Sequence, residues 1–218
     1  MTKTAVAESA LLPRLADATG GLVVCLATGP SLTKADVDRV RGKATVVVVN
    51  DAHRMAPWAD CLYSSDRYWW QHHRGVPSFA GRKATIEYSQ GRKAKELLKL
   101  ASDMVFYRLA RHHGVEEQPD GLTTCGLNSG GAAINLAYHL GAQRIVLLGY
   151  DMGATQGKRH FFGDHPQGLS NTQNFPGWRR ACDTMSGPFK ALGVEVVNCS
   201  RVTSLSAFPR KTLDEVGL

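Results

Sequence analysis

Several features that would assign this chain to a familiar class are scarce or missing. Only five of its 218 residues are cysteine: Cys25, Cys61, Cys125, Cys182 and Cys199. They are odd in number, widely spread and never in a C-x-x-C pair, which argues against a disulfide framework and a zinc knuckle and for reduced thiols filling a core. No apolar run reaches the roughly 18 residues of a membrane span, and the first residues lack the charged, apolar and small-residue order of a secretory signal. The expectation is a cytoplasmic protein with no membrane span. Internal repeats and low-complexity segments are missing, as are the G-x-x-x-x-G-K-[ST] phosphate loop and the G-x-G-x-x-G fingerprint. Acids are outnumbered, 19 against 26 Lys and Arg, so the net charge of +7 favours anionic partners. Arg82, Lys83, Arg92, Lys93, Lys95 and Lys99 cluster. They read either as a solvated helix face or as a contact for a phosphate-bearing acceptor, nucleic acid included.

What is present is an alternation of apolar strands and helices. With 43% hydrophobic residues the chain can bury one substantial core. We expect one α/β domain over 1–218, with its core at about 21–200. The organising stretch is Asn128 to Asp151: Ser129 is expected as N-cap, Ala133, Leu136, Ala137 and Leu140 recur at helical spacing, and Gly141 supplies the stop. The run Ile145 to Leu148 then shows no polar alternation, as a strand buried on both faces requires. Further strands are expected at 22–27, 44–49, 60–63, 84–87, 104–107 and 194–197. Helices are expected from Thr33, over 93–101, and over 175–192 with a break near Gly187-Pro188. Residues 108–127 read as loop. The alternation implies a Rossmann-like, mostly parallel sheet with helices on both faces.

In such a sheet ligands bind where the strands end. The polar residues there are Thr28, Gly29, Pro30 and Ser31 after the first strand, Asn50 and Asp51 after the second, and Ser64 and Asp66 after the third. Asp151 follows the organising strand and Asn198 the last, while Asn128, Ser129 and Gly130 open the central helix, where an anion is attracted. Residues 152–174 lack periodicity and are expected to form a lid. Within it His160 and His165 flank Asp164, a combination suited to acid/base work; their spacing is wrong for a helical metal pair, and no metal site is assigned. His72-His73 and His112-His113 are expected at the surface or behind the site, and Trp58, Trp69 and Trp70 in packing.

The Thr28-Gly29-Pro30-Ser31-Leu32 turn, Asn50, the Ser129-Gly130 helix leading to Gly149-Tyr150-Asp151 and the histidine-bearing loop together resemble two related groups. One is the bacterial sialyltransferases that cap lipooligosaccharide. The other is the 6-hydroxymethylpterin diphosphokinase-like (MptE-like) group of bacterial and bacteriophage proteins, to which Gly163-Asp164-His165-Pro166 is most similar. If the chain is phage-encoded, its compartment would be the host cytoplasm. The resemblance implies a transferase using a nucleotide-activated donor, with Thr28, Gly29, Pro30, Ser31, Asn50, Ser129 and Gly130 on the nucleotide. His165 would be the base, with His160 as its substitute. A nucleotide sugar would be the donor in a sialyltransferase-like glycosyl transfer to a hydroxyl acceptor. The diphosphokinase alternative would need magnesium held by acids such as Asp51, Asp66 and Asp151. Gly126 departs from the sialyltransferases, which carry a basic residue in that region. A nonenzymatic nucleic-acid-binding module is the third reading, and a homo-oligomer stays open.

Overall fold

The computed structural model describes residues 12–87, 96–97, 99–110, 112–123, 128–169 and 174–218. Among the described residues eight strands form a single sheet: β1 (Leu22–Leu26), β2 (Thr45–Val49), β3 (Cys61–Tyr63), β4 (Arg82–Ile86), β5 (Met104–Ala110), β6 (Gly121–Thr123), β7 (Arg144–Leu148) and β8 (Glu195–Asn198). Their order is β6-β5-β4-β3-β2-β1-β7-β8, and every neighbouring pair is parallel. The helices are α1 (Lys34–Val40), α2 (Arg67–His72), α3 (Ser129–His139) and α4 (Phe175–Ala191).

Parity along the strands explains the continuous apolar runs. Val23, Cys25, Val47, Val49, Ile145 and Leu147 point to one face and pack with α3 and α4. Val24, Leu26, Val46, Val48, Val146 and Leu148 point to the other and pack with Val37 and Val40 of α1 and Trp69 and Trp70 of α2. A strand covered on both sides needs apolar residues at both parities, hence no alternation. This is an α/β fold of the Rossmann-like kind. Among the described residues no helix is long and apolar enough to cross a membrane. Cys25, Cys61, Cys182 and Cys199 are buried, and burial pushes the Cys25 and Cys199 thiols up to about 12 and about 11. Neither of those two is an activated nucleophile. Cys125, Gly126 and the basic residues Arg92, Lys93 and Lys95 lie outside the described residues, as do Ala94 and Leu98 of the helix expected over 93–101.

Three local expectations change. Asn128, not Ser129, caps α3: its Oδ1 accepts from the amides of Gly130 and Gly131, leaving Ser129 as the first helical residue. The stretch expected to be loop carries β5 on to Ala110 and contains β6, a strand of three residues too short to show a period. α4 runs through Gly187-Pro188 without ending, because Cys182, Met185 and Phe189 on either side stay buried in the core and hold the helix together. Of the pair expected at the surface or behind the site, His72 is exposed and His73 is half-buried against Trp69. Thr33 does cap α1, accepting from the Asp36 amide and donating to the Asp36 carboxylate, which Arg201 grips from outside.

α3 is buried almost all round, from Ser129 to Ala137. Its one large polar core residue, Asn135, ties it to the edge of the sheet: Oδ1 accepts from the amides of Glu116 (2.9 Å) and Thr123 (3.2 Å), and Nδ2 donates to the Glu116 carbonyl (3.0 Å). Leaving buried peptide groups without a partner costs about 1–3 kcal/mol each. Asn135→Leu is therefore expected to lower stability by about 2–4 kcal/mol in chemical denaturation. An unchanged midpoint would show that these bonds add nothing.

Candidate functional site

Chain connections run from β1 outward through β2 to β6, then return to β7 on the other side of β1. The sheet therefore has its topological switch point between β1 and β7, the place where open parallel sheets leave a crevice. A cavity of about 620 Å³ lies there, a size suited to a small-molecule ligand. Its floor is made by the exits of β1 (Ala27, Thr28, Gly29), β2 (Val49, Asn50), β3 (Ser65, Asp66) and β7 (Gly149 to Gly153), together with the start of α3. Arg159, His160 and His165 border one side, and Asn174, Phe175 and Trp178 at the start of α4 the other.

The two exits at the switch point are bonded to each other. The buried Asp151 carboxylate accepts from the Ser31 amide (2.8 Å) and the Ser31 hydroxyl (2.7 Å), and the Gly29 amide donates to the Gly149 carbonyl (2.8 Å). Burial raises the Asp151 carboxyl above its ordinary value, and the Ser31 hydrogen bonds oppose that rise. From the β8 side, Ser200 Oγ accepts from the Tyr150 amide and Thr203 Oγ1 donates to the Tyr150 carbonyl. Gly29 is small for a packing reason: a Cβ there would overlap Asp151 Oδ1 and the Gly149 carbonyl. The turn's main chain is thus engaged within the protein.

At the start of α3 the first amides are likewise engaged by Asn128, so the helix acts on the cavity through its dipole rather than through open N–H groups. Ser129 joins this helix to β3: its Oγ accepts from the Ser65 amide (3.0 Å) and lies 2.6 Å from Ser65 Oγ. Tyr150 donates to the Gly130 carbonyl (3.0 Å).

The described part of the expected lid contains neither helix nor strand, only a Thr155–Lys158 bridge. It is strapped to β1's exit. The Phe161 amide donates to the Thr28 carbonyl (3.0 Å), and His160 Nδ1 lies 2.8 Å from Thr28 Oγ1. Phe162 stacks on His160, with ring centroids 5.0 Å apart, and His165 is next to both. Burial holds His160 down at about 4, and the His165 cation adds to the effect. His165 is lowered too, by burial, against the pull of Asp51. At neutral pH both are neutral imidazoles, which can accept a proton.

Of the expected residues, Thr28, Gly29, Asn50, Asp66, Asn128, Ser129, Gly130, Asp151, His160 and His165 line the cavity. Pro30, Ser31, Asp51 and Ser64 do not. Ser31 is behind Asp151 as its partner; Ser64 is fully buried on the α2 side, where its carbonyl accepts from Trp70 Nε1 and Thr85. Asn198 closes on Ser200 and Thr203 rather than on the cavity. Ser65 takes the place expected of Ser64, and strand parity signals it, since Cys61 and Tyr63 face α3. Tyr150, Met152, Asn174, Phe175 and Trp178 had no signal beyond proximity to strand and helix ends. Asp51, Asp66 and Asp151 do not converge: among the described residues no three His, Cys, Asp or Glu side chains form a metal-binding group.

Two outcomes follow for stability. Gly29→Ala is expected to cost about 1–3 kcal/mol or more by overpacking the Asp151 contact, read as a lowered unfolding midpoint. His160 has a folded value of about 4 against an ordinary 6.5, so below pH 6.5 the unfolded chain binds more protons than the folded one. Its contribution is complete above pH 6.5 and is lost as pH falls toward 4, and His73, His139 and His165 act in the same direction. The melting temperature should drop across that window and drop less steeply in His160→Gln.

No family model matches the chain, and a search of curated proteins finds no match to it.

Proposed function

We propose that the protein transfers a group from a nucleotide-activated donor to a hydroxyl acceptor, most simply a glycosyl group from a nucleotide sugar. The observation that carries this reading is the pairing of two neutral imidazoles with a hydroxyl- and amide-rich floor, in one cavity at the switch point of a parallel sheet. The apolar side formed by Tyr150, Met152, Phe175 and Trp178 suits a base or sugar face. The polar side, with Thr28, Asn50, Ser65, Asn128 and Ser129, suits ribose and phosphate oxygens.

Charge favours a donor carrying little phosphate. Among the described residues the lining holds Asp66 and Asp151 but only one guanidinium, that of Arg159, so a triphosphate would need an added cation to offset repulsion. In the proposed step, His165 takes the proton from the acceptor hydroxyl as its oxygen bonds to the anomeric carbon. The bond from that carbon to the donor phosphate breaks, and the leaving nucleotide keeps the electron pair. The dipole of α3 stabilises the charge that develops there. The segment bearing His160 and His165 limits the access of water that would otherwise hydrolyse the donor.

A thermal-shift screen tests this directly. Cytidine and uridine nucleotides or their sugars should raise the melting temperature equally in magnesium and in chelator. His165→Ala should keep that shift while losing at least about 100-fold in transfer rate. Stabilisation only by ATP with magnesium would replace this reading by pyrophosphate transfer. Salt-sensitive binding of duplex nucleic acid that His165→Ala leaves unchanged, without any nucleotide shift, would replace it by a binding module.

A further inference from the structure

β2 leaves the sheet through Asn50, whose φ of 51° is left-handed. Residues other than glycine seldom adopt that conformation, and where they do the surroundings impose it. The turn delivers Asn50 to the cavity but turns Asp51 away from it, into a buried site between α2 and the segment carrying His165. There Trp69 Nε1 donates to Asp51 Oδ2 at 2.8 Å, and His165 Nδ1 stands 3.7 Å from the same oxygen. On the other oxygen, His73 Nε2 is at 3.6 Å and Arg54 Nη1 at 3.9 Å. His73 leans on the Trp69 ring with centroids 4.5 Å apart, and His53 meets both rings edge-on.

A carboxylate buried in this way is out of reach of a nucleotide, and a buried charge persists only among fixed partners. The indole bond locks one oxygen, and the imidazole of His165 enters the cavity with its Nδ1 side turned toward that oxygen. For a neutral imidazole to accept a proton at Nε2, its own proton must be on Nδ1, and an acceptor behind Nδ1 is what selects that tautomer.

We propose that Asp51 is a positioning residue for His165: anchored by Trp69, its carboxylate accepts from Nδ1–H of His165 and so presents Nε2 to the acceptor hydroxyl. The gap of 3.7 Å exceeds hydrogen-bond length, and hydrogen bonds of catalytic groups commonly tighten when substrate binds. During transfer the acceptor's proton goes to Nε2 while Nδ1 keeps its own; Asp51 stabilises the resulting imidazolium and takes no proton. The purpose assigned to the pair rests on the transfer reading above, whereas its existence does not. Asp51, Asp66 and Asp164 favour the charged ring, and His72, His73 and His160 oppose it, with Arg159 and Arg54 the nearby guanidinium groups.

The test is imidazole nitrogen NMR on the full chain without substrate, with the His165 signals identified by their loss in His165→Gln. In the native protein His165 should be the Nδ1–H tautomer at neutral pH. In Asp51→Asn it should shift toward Nε2–H, and its titration midpoint should fall by about half a pH unit or more. If Asp51→Asn loses the dispersed spectrum of a folded protein, Trp69→Phe gives the second reading. With the indole donor gone, the carboxylate charge is less satisfied and the His165 midpoint should rise by a similar amount. An unaltered tautomer and midpoint in the folded variant would overturn the proposal. No turnover is needed, so that failure would leave the transfer reading standing, and an absence of transfer activity would leave the tautomer result intact.

Discussion

The cavity depends on one buried interaction, the Asp151 carboxylate held by the amide and hydroxyl of Ser31. β1 and β7 are neighbours in the sheet, but the chains leaving them part, β1's into α1 and β7's into the long segment that carries His160 and His165. Without a bond across the divergence, the crevice would have no fixed width. A buried carboxylate is costly unless its oxygens are bonded, and here Ser31 meets both and Thr155 adds a longer contact to one. The same constraint explains why Gly29 has no side chain and why β8's exit, through Ser200 and Thr203, grips the Tyr150 peptide from behind.

Around that fixed gap the two faces of the sheet do different work. The α1 and α2 face is occupied by Trp69, Trp70 and aliphatic packing. The α3 face is left open at its rim, because α3 begins with Ser129, Gly130 and Gly131, whose small side chains keep its first turn close to Tyr150 and Ser65 without filling the space in front. The two histidines come from outside the sheet, on a segment strapped to Thr28, so that a rigid floor meets less regular walls. Sites of this construction combine precise placement with the ability to admit a ligand.

Much of this was legible in the chain itself, and the exceptions have physical reasons. Two-sided burial writes itself as runs such as Val46 to Val49 and Ile145 to Leu148, so the strands, their parallel sense and the shared edge of Thr28, Asn50, Asp66 and Asp151 could be read from apolar pattern alone. β6 could not, since Gly121, Leu122 and Thr123 are too few to show a period, and they are held by pairing with β5 and by Asn135 of the following helix. Asn128 and Ser129 are both good caps; which of them caps was settled by the long-range bond of Ser129 to Ser65, invisible locally. Ser65 was recoverable by extending strand parity one step beyond β3. Asp51 was not: the left-handed turn at Asn50 breaks parity at the exit of β2 and sends the carboxylate to a cluster of rings drawn from α2 and from beyond β7.

The strand order also has a consequence for the chain as it emerges from the ribosome. One edge of β1 pairs with β2 almost at once, but its other edge waits for β7, whose register with β1 runs from Leu22 opposite Arg144 to Leu26 opposite Leu148. Until then the nascent protein displays an open, wholly apolar strand edge of the sort that recruits unintended neighbours. Closing so long a separation in sequence makes the final docking slow in relation to the local steps that precede it. The centre of the finished sheet is therefore sheltered late, and help from a chaperone would matter most just before β7 is made.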